Sequence, residues 1–263
     1  MPFLSAAGQR LEYRLIAATR PQAPPFVLLH EGLGSLAMWR DFPDRLAALS
    51  GAAVLAYSRP GYGRSAPLPG PRRVDYMHRE ALETLPRVLA QLAIAEPVLV
   101  GHSDGASIAL IYAGAVPAAV RALVLMAPHV FVEERTIAGA RAARAAWQAG
   151  DLKARLARYH DDAEAAFRGW NEIWLAPEFR SWNIAGFLPA IACPLLLIQG
   201  EDDAYGTLAQ LGAIRRGVAS RRIAELVLPG CGHAPHRERP QAVLAAIARF
   251  IAGLQPAGGS QPG

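Results

Sequence analysis

The sequence predicts an α/β fold: a mostly parallel central sheet flanked by helices, with a helical cap inserted between two strands. Three observations carry this reading. Short apolar runs alternate with amphipathic stretches of helical period from Phe26 to Met126. The alternation stops after Pro128, runs helical and tryptophan-rich to about Leu188, and resumes at Pro194. Between a strand-like run and a helix-like run lies Gly101-His102-Ser103-Asp104-Gly105, the composition of a sharp strand-to-helix turn.

Leu11 to Ala17 reads as an edge strand and Arg20 to Pro25 as a proline-rich turn. Phe26-Val27-Leu28-Leu29-His30 is a buried strand that runs into Glu31-Gly32-Leu33-Gly34-Ser35. A helix follows through Trp39, Phe42, Leu46 and Leu49, at spacings near three and four. Ala52 to Tyr57 is the next strand, ending in the loop Arg59-Pro60-Gly61-Tyr62-Gly63-Arg64-Ser65. Asp75 is placed to cap a long helix reaching about Ile94, interrupted at Pro86. Pro97 to Val100 is a buried strand, Ala106 to Tyr112 an amphipathic helix and Arg121 to Met126 another strand. Beyond the helical stretch come strand Pro194–Gln199, helix Thr207–Gly217, strand Ile223–Leu228 and helix Pro240–Leu254. Strands joined through helices imply right-handed crossovers and a parallel sheet.

The expected organisation is an α/β core over residues 1–128 and 190–254, a helical cap over 129–189, and a disordered tail over 255–263. The tail holds only Gly, Pro, Ser and Gln apart from Ala257. The cap holds four of the five tryptophans, Trp147, Trp170, Trp174 and Trp182, together with Tyr159, Phe167 and Phe179. These aromatics can form a small core of their own or line an apolar acyl or aryl pocket. Trp170 and Trp174 are the candidates for the pocket.

Composition narrows the partners. At 263 residues and 52% hydrophobic, the chain can bury one sizeable core. The net charge of +5 comes from scattered arginines, with no basic block or helix face for nucleic acid. Cys193 and Cys231 show no metal-binding spacing. The N-terminus lacks a signal-peptide pattern, and no unbroken apolar segment of about 20 residues could span a bilayer. The expectation is a cytoplasmic protein acting on a small molecule without metal or organic cofactor, with a homodimer as one arrangement open to it.

The turn around Ser103 lifts a serine hydroxyl clear of the sheet and sets the next N–H at a helix N-terminus. A serine hydroxyl attacks only when a base removes its proton, and the base needs a third group to fix its tautomer. Both partners are expected in loops at strand ends, where an open α/β sheet places its site. After Leu195–Gln199 comes Gly200-Glu201-Asp202-Asp203, and after Leu226–Leu228 comes Pro229-Gly230-Cys231-Gly232-His233. The order is Ser, Asp, His.

With these segments, the Arg59–Ser65 loop and Glu238-x-Pro240, the sequence resembles the α/β-hydrolase superfamily over essentially its whole length. The resemblance implies an α/β-hydrolase fold, with Ser103 as nucleophile, His233 as base and acid, and Asp203 as the orienting carboxylate, Asp202 being the runner-up. It implies an oxyanion hole from the N–H groups of Gly32 and Asp104, with Leu33 as the alternative donor. The family's turn usually reads His-Gly-Gly or His-Gly-x, and here Glu31 stands in a glycine position. Glu31 reads either as a side chain paired with Arg59 or Arg64, or, with Leu33, as a substrate contact. The side chain of Asp104 can help cap the following helix. His30 is expected to structure the turn, His102 to point away from the nucleophile, and His236 to be an ordinary loop histidine.

Serine at the elbow disfavours the haloalkane dehalogenases and epoxide hydrolases of the superfamily, which use aspartate there. The implied activity is hydrolysis of a carboxylic ester, thioester or lactone through an acyl-enzyme. The alternatives are a carbon–carbon bond hydrolase of aromatic catabolism, against which Ala234 follows His233 where tryptophan is typical, a ligand receptor, or a cofactor-independent dioxygenase on the same fold.

Overall fold

Several strands are buried along their whole length, as a sheet covered on both faces requires. The computed structural model describes residues 2–254. Among them, eight strands form one sheet: β1 (Phe3–Ala6), β2 (Gln9–Ile16), β3 (Phe26–Leu29), β4 (Val54–Tyr57), β5 (Val98–His102), β6 (Ala122–Met126), β7 (Leu195–Gly200) and β8 (Ile223–Leu228). Their order is β1-β2-β4-β3-β5-β6-β7-β8. The β1/β2 and β2/β4 pairs are antiparallel and the others parallel. The tail expected over 255–263 lies outside the described residues.

Alternation along β5 builds both cores. Leu99 joins one apolar cluster with Ile108 and Leu110. Val98 and Val100 join the other, with Phe42, Leu46, Val243 and Ile247. The helices are α1 (Phe42–Ser50), α2 (Tyr76–Arg79), α3 (Leu85–Gln91), α4 (Asp104–Ala115), α5 (Glu134–Gln148), α6 (Asp151–Leu156), α7 (Ala163–Leu175), α8 (Ala209–Gly217), α9 (Pro235–Glu238) and α10 (Pro240–Ala252).

The order β4-β3-β5 matters most for function. From β3 the chain crosses to β4 on one side, then returns to lay β5 on the other side of β3. The two connections leave β3 in opposite directions and open a crevice beyond the carboxyl ends of β3 and β5. The turn His30–Ser35 and Ser103 follow those two strand ends.

Local structure departs from the sequence reading in four places. The helix expected through Trp39 and Leu49 is split, with a 3-10 turn over Leu36–Trp39 and α1 from Phe42. Arg40 breaks it at φ 53°. The helix expected from Asp75 to Ile94 carries a π turn over Glu80–Thr84, which widens the backbone just ahead of Pro86. Asp75 stands at its N-cap position, but its side chain makes no capping bond. β1 was not anticipated. It closes a hairpin on β2 through Ala7 and Gly8, both at positive φ (51° and 73°), a tight turn with alanine where asparagine is the usual signal.

Between β6 and β7 the chain is helical, as its pattern indicated. Its two ends meet at a bridge between Phe131 and Asn183. Trp174, Phe179 and Trp182 pack face and edge at 4.8–6.1 Å between ring centres and are buried. Trp147 stacks on Phe167 at 4.2 Å. These residues do not form a core of their own: with Trp170 they join the apolar cluster that contains Leu99 and Ile108.

Candidate active site

Ser103 sits at φ 53°, ψ −118°, a conformation that costs a residue with a Cβ on the order of 1–3 kcal/mol. Its N–H donates to the Met126 carbonyl (2.9 Å), and its carbonyl accepts from Ala106 and Ser107, which starts α4. A Cβ on Gly101 would overlap the backbone of Ala106, and one on Gly105 would overlap the Leu29 carbonyl. The glycines flanking Ser103 by two residues are therefore steric requirements of this turn. Ser103 is 6% exposed.

Asp203 and His233 are brought together. The ring Nδ1–H of His233 lies 2.8 Å from both carboxylate oxygens of Asp203. Gln199 Nε2 donates to Oδ2 (2.6 Å) and the Tyr205 N–H to Oδ1 (2.7 Å). Burial alone would raise the Asp203 pKa, but the His233 charge and hydrogen bond, with the Tyr205 N–H, outweigh it and hold the carboxyl at about 2. Asp202 is exposed, and its N–H donates to the Cys231 carbonyl. With Nδ1 committed to Asp203, Nε2 is the nitrogen left to act, and among the described residues it makes no hydrogen bond to Ser103. Free enzymes often hold such bonds long and tighten them with substrate. Glu238 fixes the loop by accepting from the N–H groups of Gly232 (2.7 Å) and Ala234 (3.1 Å).

The His30–Ser35 turn is oriented from behind. His30 Nδ1–H donates to the Glu31 carbonyl (2.7 Å), while its Nε2 accepts from the Arg59 N–H (3.0 Å). That pattern is a neutral imidazole, and burial together with the Arg59 charge holds the His30 pKa well below its ordinary value. Arg59 Nη2 also donates to the Glu31 carbonyl (2.9 Å) and to that of His30 (3.3 Å). In a trans peptide C=O and N–H point oppositely. With the Gly34 N–H (3.0 Å) the Glu31 carbonyl has three donors, which aim the Gly32 N–H away from Arg59. His160 anchors the next residue, donating from Nε2 to the Leu33 carbonyl (3.0 Å).

Two side-chain expectations are corrected. The Glu31 carboxylate pairs with neither Arg59 nor Arg64. Arg59 takes its carbonyl, and Oε2 lies 3.3 Å from His102 Nδ1. Burial opposes ionisation there, but the His102 interaction wins and holds the carboxyl well below the usual range. Asp104 does not cap α4. Its Oδ2 accepts from the Tyr76 hydroxyl (2.6 Å) and lies 3.7 Å from Arg59 Nη2. A buried guanidinium and phenol hold the carboxylate better than the helix terminus could. Tyr76 in turn accepts from Trp174 Nε1 (3.0 Å).

Trp170 lies over Gly32, where any Cβ would overlap its indole. It meets Tyr205 edge-on at 6.2 Å, and Tyr205 lies 4.6 Å from the His233 ring. Trp174 is buried beneath, edge-on to His129 at 5.3 Å. Sequence reasoning passed over His129, Tyr205 and Tyr76. Only His129 carried a signal, its place just past a strand end. Burial and the charge of His233 lower its pKa to about 4. His236 was expected to be an ordinary loop residue, but it is buried on α9 and packs against Trp39, Phe42 and His102.

The loop after β7 is tied to the first turn of α5. Arg135 Nη1 donates to the Asp203 carbonyl (2.9 Å) and Thr136 to that of Tyr205 (2.5 Å). The Glu133 carboxylate accepts from the Thr207 N–H (2.9 Å), the Thr207 hydroxyl (2.6 Å) and Gln210 Nε2 (2.7 Å). Among the described residues no group of His, Cys, Asp and Glu is arranged to hold a metal ion, and no helix is long and apolar enough to cross a membrane.

Residues 26–246 match the model of the Alpha/beta hydrolase family. The proline iminopeptidase of Lactobacillus helveticus is 32% identical over 112 residues, 43% of this chain and 36% of that protein. The match thus spans about a third of the length of that relative. The 2-succinyl-6-hydroxy-2,4-cyclohexadiene-1-carboxylate synthase of an Enterobacter species is 27% identical over 260 residues, covering 89% of this chain and 94% of the relative. Among solved structures, the enol-lactonase from Burkholderia xenovorans superimposes with a TM-score of 0.72 at 23% identity, over 95% of this chain and 100% of that one. That likeness is one of fold.

Proposed function

This chain belongs to the alpha/beta hydrolase family, and from that premise we propose that it is a serine hydrolase cleaving a carboxylic ester, thioester or lactone. One observation carries the reading: the buried Asp203–His233 pair, bonded at 2.8 Å through Nδ1, stands at the same end of the sheet as a serine held at positive φ. The pair leaves His233 Nε2 to take the Ser103 proton as Oγ attacks the acyl carbon. The resulting oxyanion is met by the N–H groups of Gly32 and Asp104, whose positions are set before reaction by Arg59, His30 and the helix start. Collapse expels the alcohol or thiol, protonated by His233. Water activated by the same nitrogen then releases the acid. Every step uses groups of this chain, with no metal or organic cofactor.

The aromatic faces of Trp170 and Tyr205 beside these groups support a small substrate with an apolar acyl or aryl part. Leu33, Glu31 and the more deeply buried Trp174 complete that side of the proposed pocket.

The test is a panel of short acyl esters, acyl-CoA thioesters and lactones, with a fluorophosphonate probe for Ser103. Ser103→Ala is expected to lose roughly 10³–10⁶ in kcat with the fold intact. Near-normal turnover by that variant refutes the mechanism.

A further inference from the structure

His102 precedes the proposed nucleophile and is 1% exposed. Its Nε2 lies 2.6 Å from the His233 carbonyl, and its Nδ1 lies 3.3 Å from Glu31 Oε2. We propose that Glu31 holds His102 as an imidazolium strut, a positioning residue that joins the turn bearing Gly32 to the loop bearing His233. The proposal rests on the serine-hydrolase reading and deepens it.

The argument is one of donors and acceptors. A carbonyl only accepts, so Nε2 carries a proton. A carboxylate facing an unprotonated Nδ1 would set lone pair against lone pair in a site shielded from water. Neither neutral tautomer suits both neighbours; the imidazolium donates from Nε2 to the His233 carbonyl and faces Glu31 from Nδ1 as an ion pair at 3.3 Å, without hydrogen-bond geometry there. The surroundings agree. His236 packs against the ring from α9 at 4.8 Å and His233 from its loop at 5.1 Å. Burial and the His102 charge push the His236 pKa well below its ordinary value, and His30 is neutral as well. Glu31 and Asp203 are the negative groups that act on the ring, and both favour its charge. Burial, acting alone, would lower the His102 pKa, but Glu31 and the His233 carbonyl raise it above 6.5.

The strut has two fixed ends. Glu31 belongs to the turn whose carbonyls Arg59 and His30 hold, and the other contact is the backbone of His233 itself. When Nδ1 loses its proton, the attraction to Glu31 is lost and a carboxylate only 17% exposed is left without its cationic partner. The two proposed catalytic segments are then free to drift apart, and displacements well under an ångström are costly to reaction. Because the folded pKa is raised, this happens at a higher pH than for a free imidazole. Activity therefore falls as pH rises through the range in which His102 gives up that proton.

The experiment combines long-range ¹H–¹⁵N spectra of the wild-type imidazoles at neutral pH with pH–rate profiles of the wild type, Glu31→Gln and His102→Gln on the best ester of the panel. Fluorophosphonate labelling of Ser103 serves as the control. The expected results are a His102 ring protonated on both nitrogens and a wild-type alkaline limb that moves toward neutral pH in Glu31→Gln. In His102→Gln, whose amide can still donate to the His233 carbonyl, kcat falls about 10–100-fold with KM little changed and the limb gone, the scale of losing a group that orients a reacting one. A neutral His102 at pH 7, a limb unmoved in Glu31→Gln, or an unchanged kcat in His102→Gln overturns the strut. If Ser103 is labelled while the variants keep wild-type profiles, the strut alone fails. If Ser103 is unlabelled and no ester turns over, the hydrolase reading fails and takes the strut with it.

Discussion

Replacing Asp203 by asparagine separates the two halves of its proposed role, holding His233 in place and stabilising its cation. The carboxyl is held at about 2 against an ordinary 3.8, a preference for the charged form of roughly 60-fold. Burial works against that charge, so the attraction to His233 exceeds the net figure, and a loss of kcat of at least about tenfold is expected on removing it. The upper bound, about 10⁴-fold, is set by enforcing the wrong imidazole tautomer. The fold should survive. Tyr205 and Gln199 each donate to one Asp203 oxygen, and asparagine offers only one acceptor. The buried Oε1 of Gln199 has no partner, so the Gln199 amide can turn over and accept from the new NH₂ group. Kinetics on the best ester, with a thermal melt of each variant, measure both effects. Asp202→Asn, altering an exposed side chain, should stay within about twofold of wild type. If Asp202→Asn costs as much as Asp203→Asn, or Asp203→Asn costs less than about tenfold, the assignment of the acid is refuted.

Gly32→Ala places a methyl against the Trp170 indole, so the turn or α7 must shift, and a loss of about 10²–10³ in kcat is expected from a displaced oxyanion donor; an unchanged kcat argues that this N–H is not a donor. Tyr76→Phe strips a hydroxyl that serves both Asp104 and Trp174 and should cost about 1–3 kcal/mol, read as a fall in Tm of several degrees. The Asp203 carboxyl has a depressed folded pKa, so its contribution to stability is fully present above about 4 and is lost as pH falls through about 2. Urea midpoints of wild type and Asp203→Asn should therefore converge over that window, and parallel curves speak against the linkage.

Local spacing carried most of the fold and the centre of the candidate site. Gly101 and Gly105 announced the turn because only glycine fits beneath it, and strand runs ending in Asp203 and His233 put those residues at one edge. What stayed hidden depends on distances the chain does not encode locally. Glu31 was read against nearby arginines of the sequence, yet its partner is His102, brought beside it because β3 and β5 are hydrogen-bonded neighbours. Asp104 was read as a cap from its place at a helix start, but Arg59 and Tyr76 converge on it from two other segments. The hairpin at Ala7 escaped because alanine rarely takes positive φ, and the π turn before Pro86 because the apolar pattern runs through it unbroken.

The bonds from Arg135 and Thr136 to the carbonyls of Asp203 and Tyr205 bear on how such proteins can be recombined. The helical insert between β6 and β7 is the obvious segment to exchange between relatives in search of new substrates. Its first turn, though, is wired to the segment presenting Asp203. A chimera joined just before α5 would keep the Glu133 clamp on Thr207 but import a foreign first turn and leave the carbonyls of Asp203 and Tyr205 without their matched donors. Joining the parts after Thr136 instead keeps the native anchor and still passes on all four tryptophans of the insert, so the position of the seam, more than the identity of the donor, should decide which chimeras remain active.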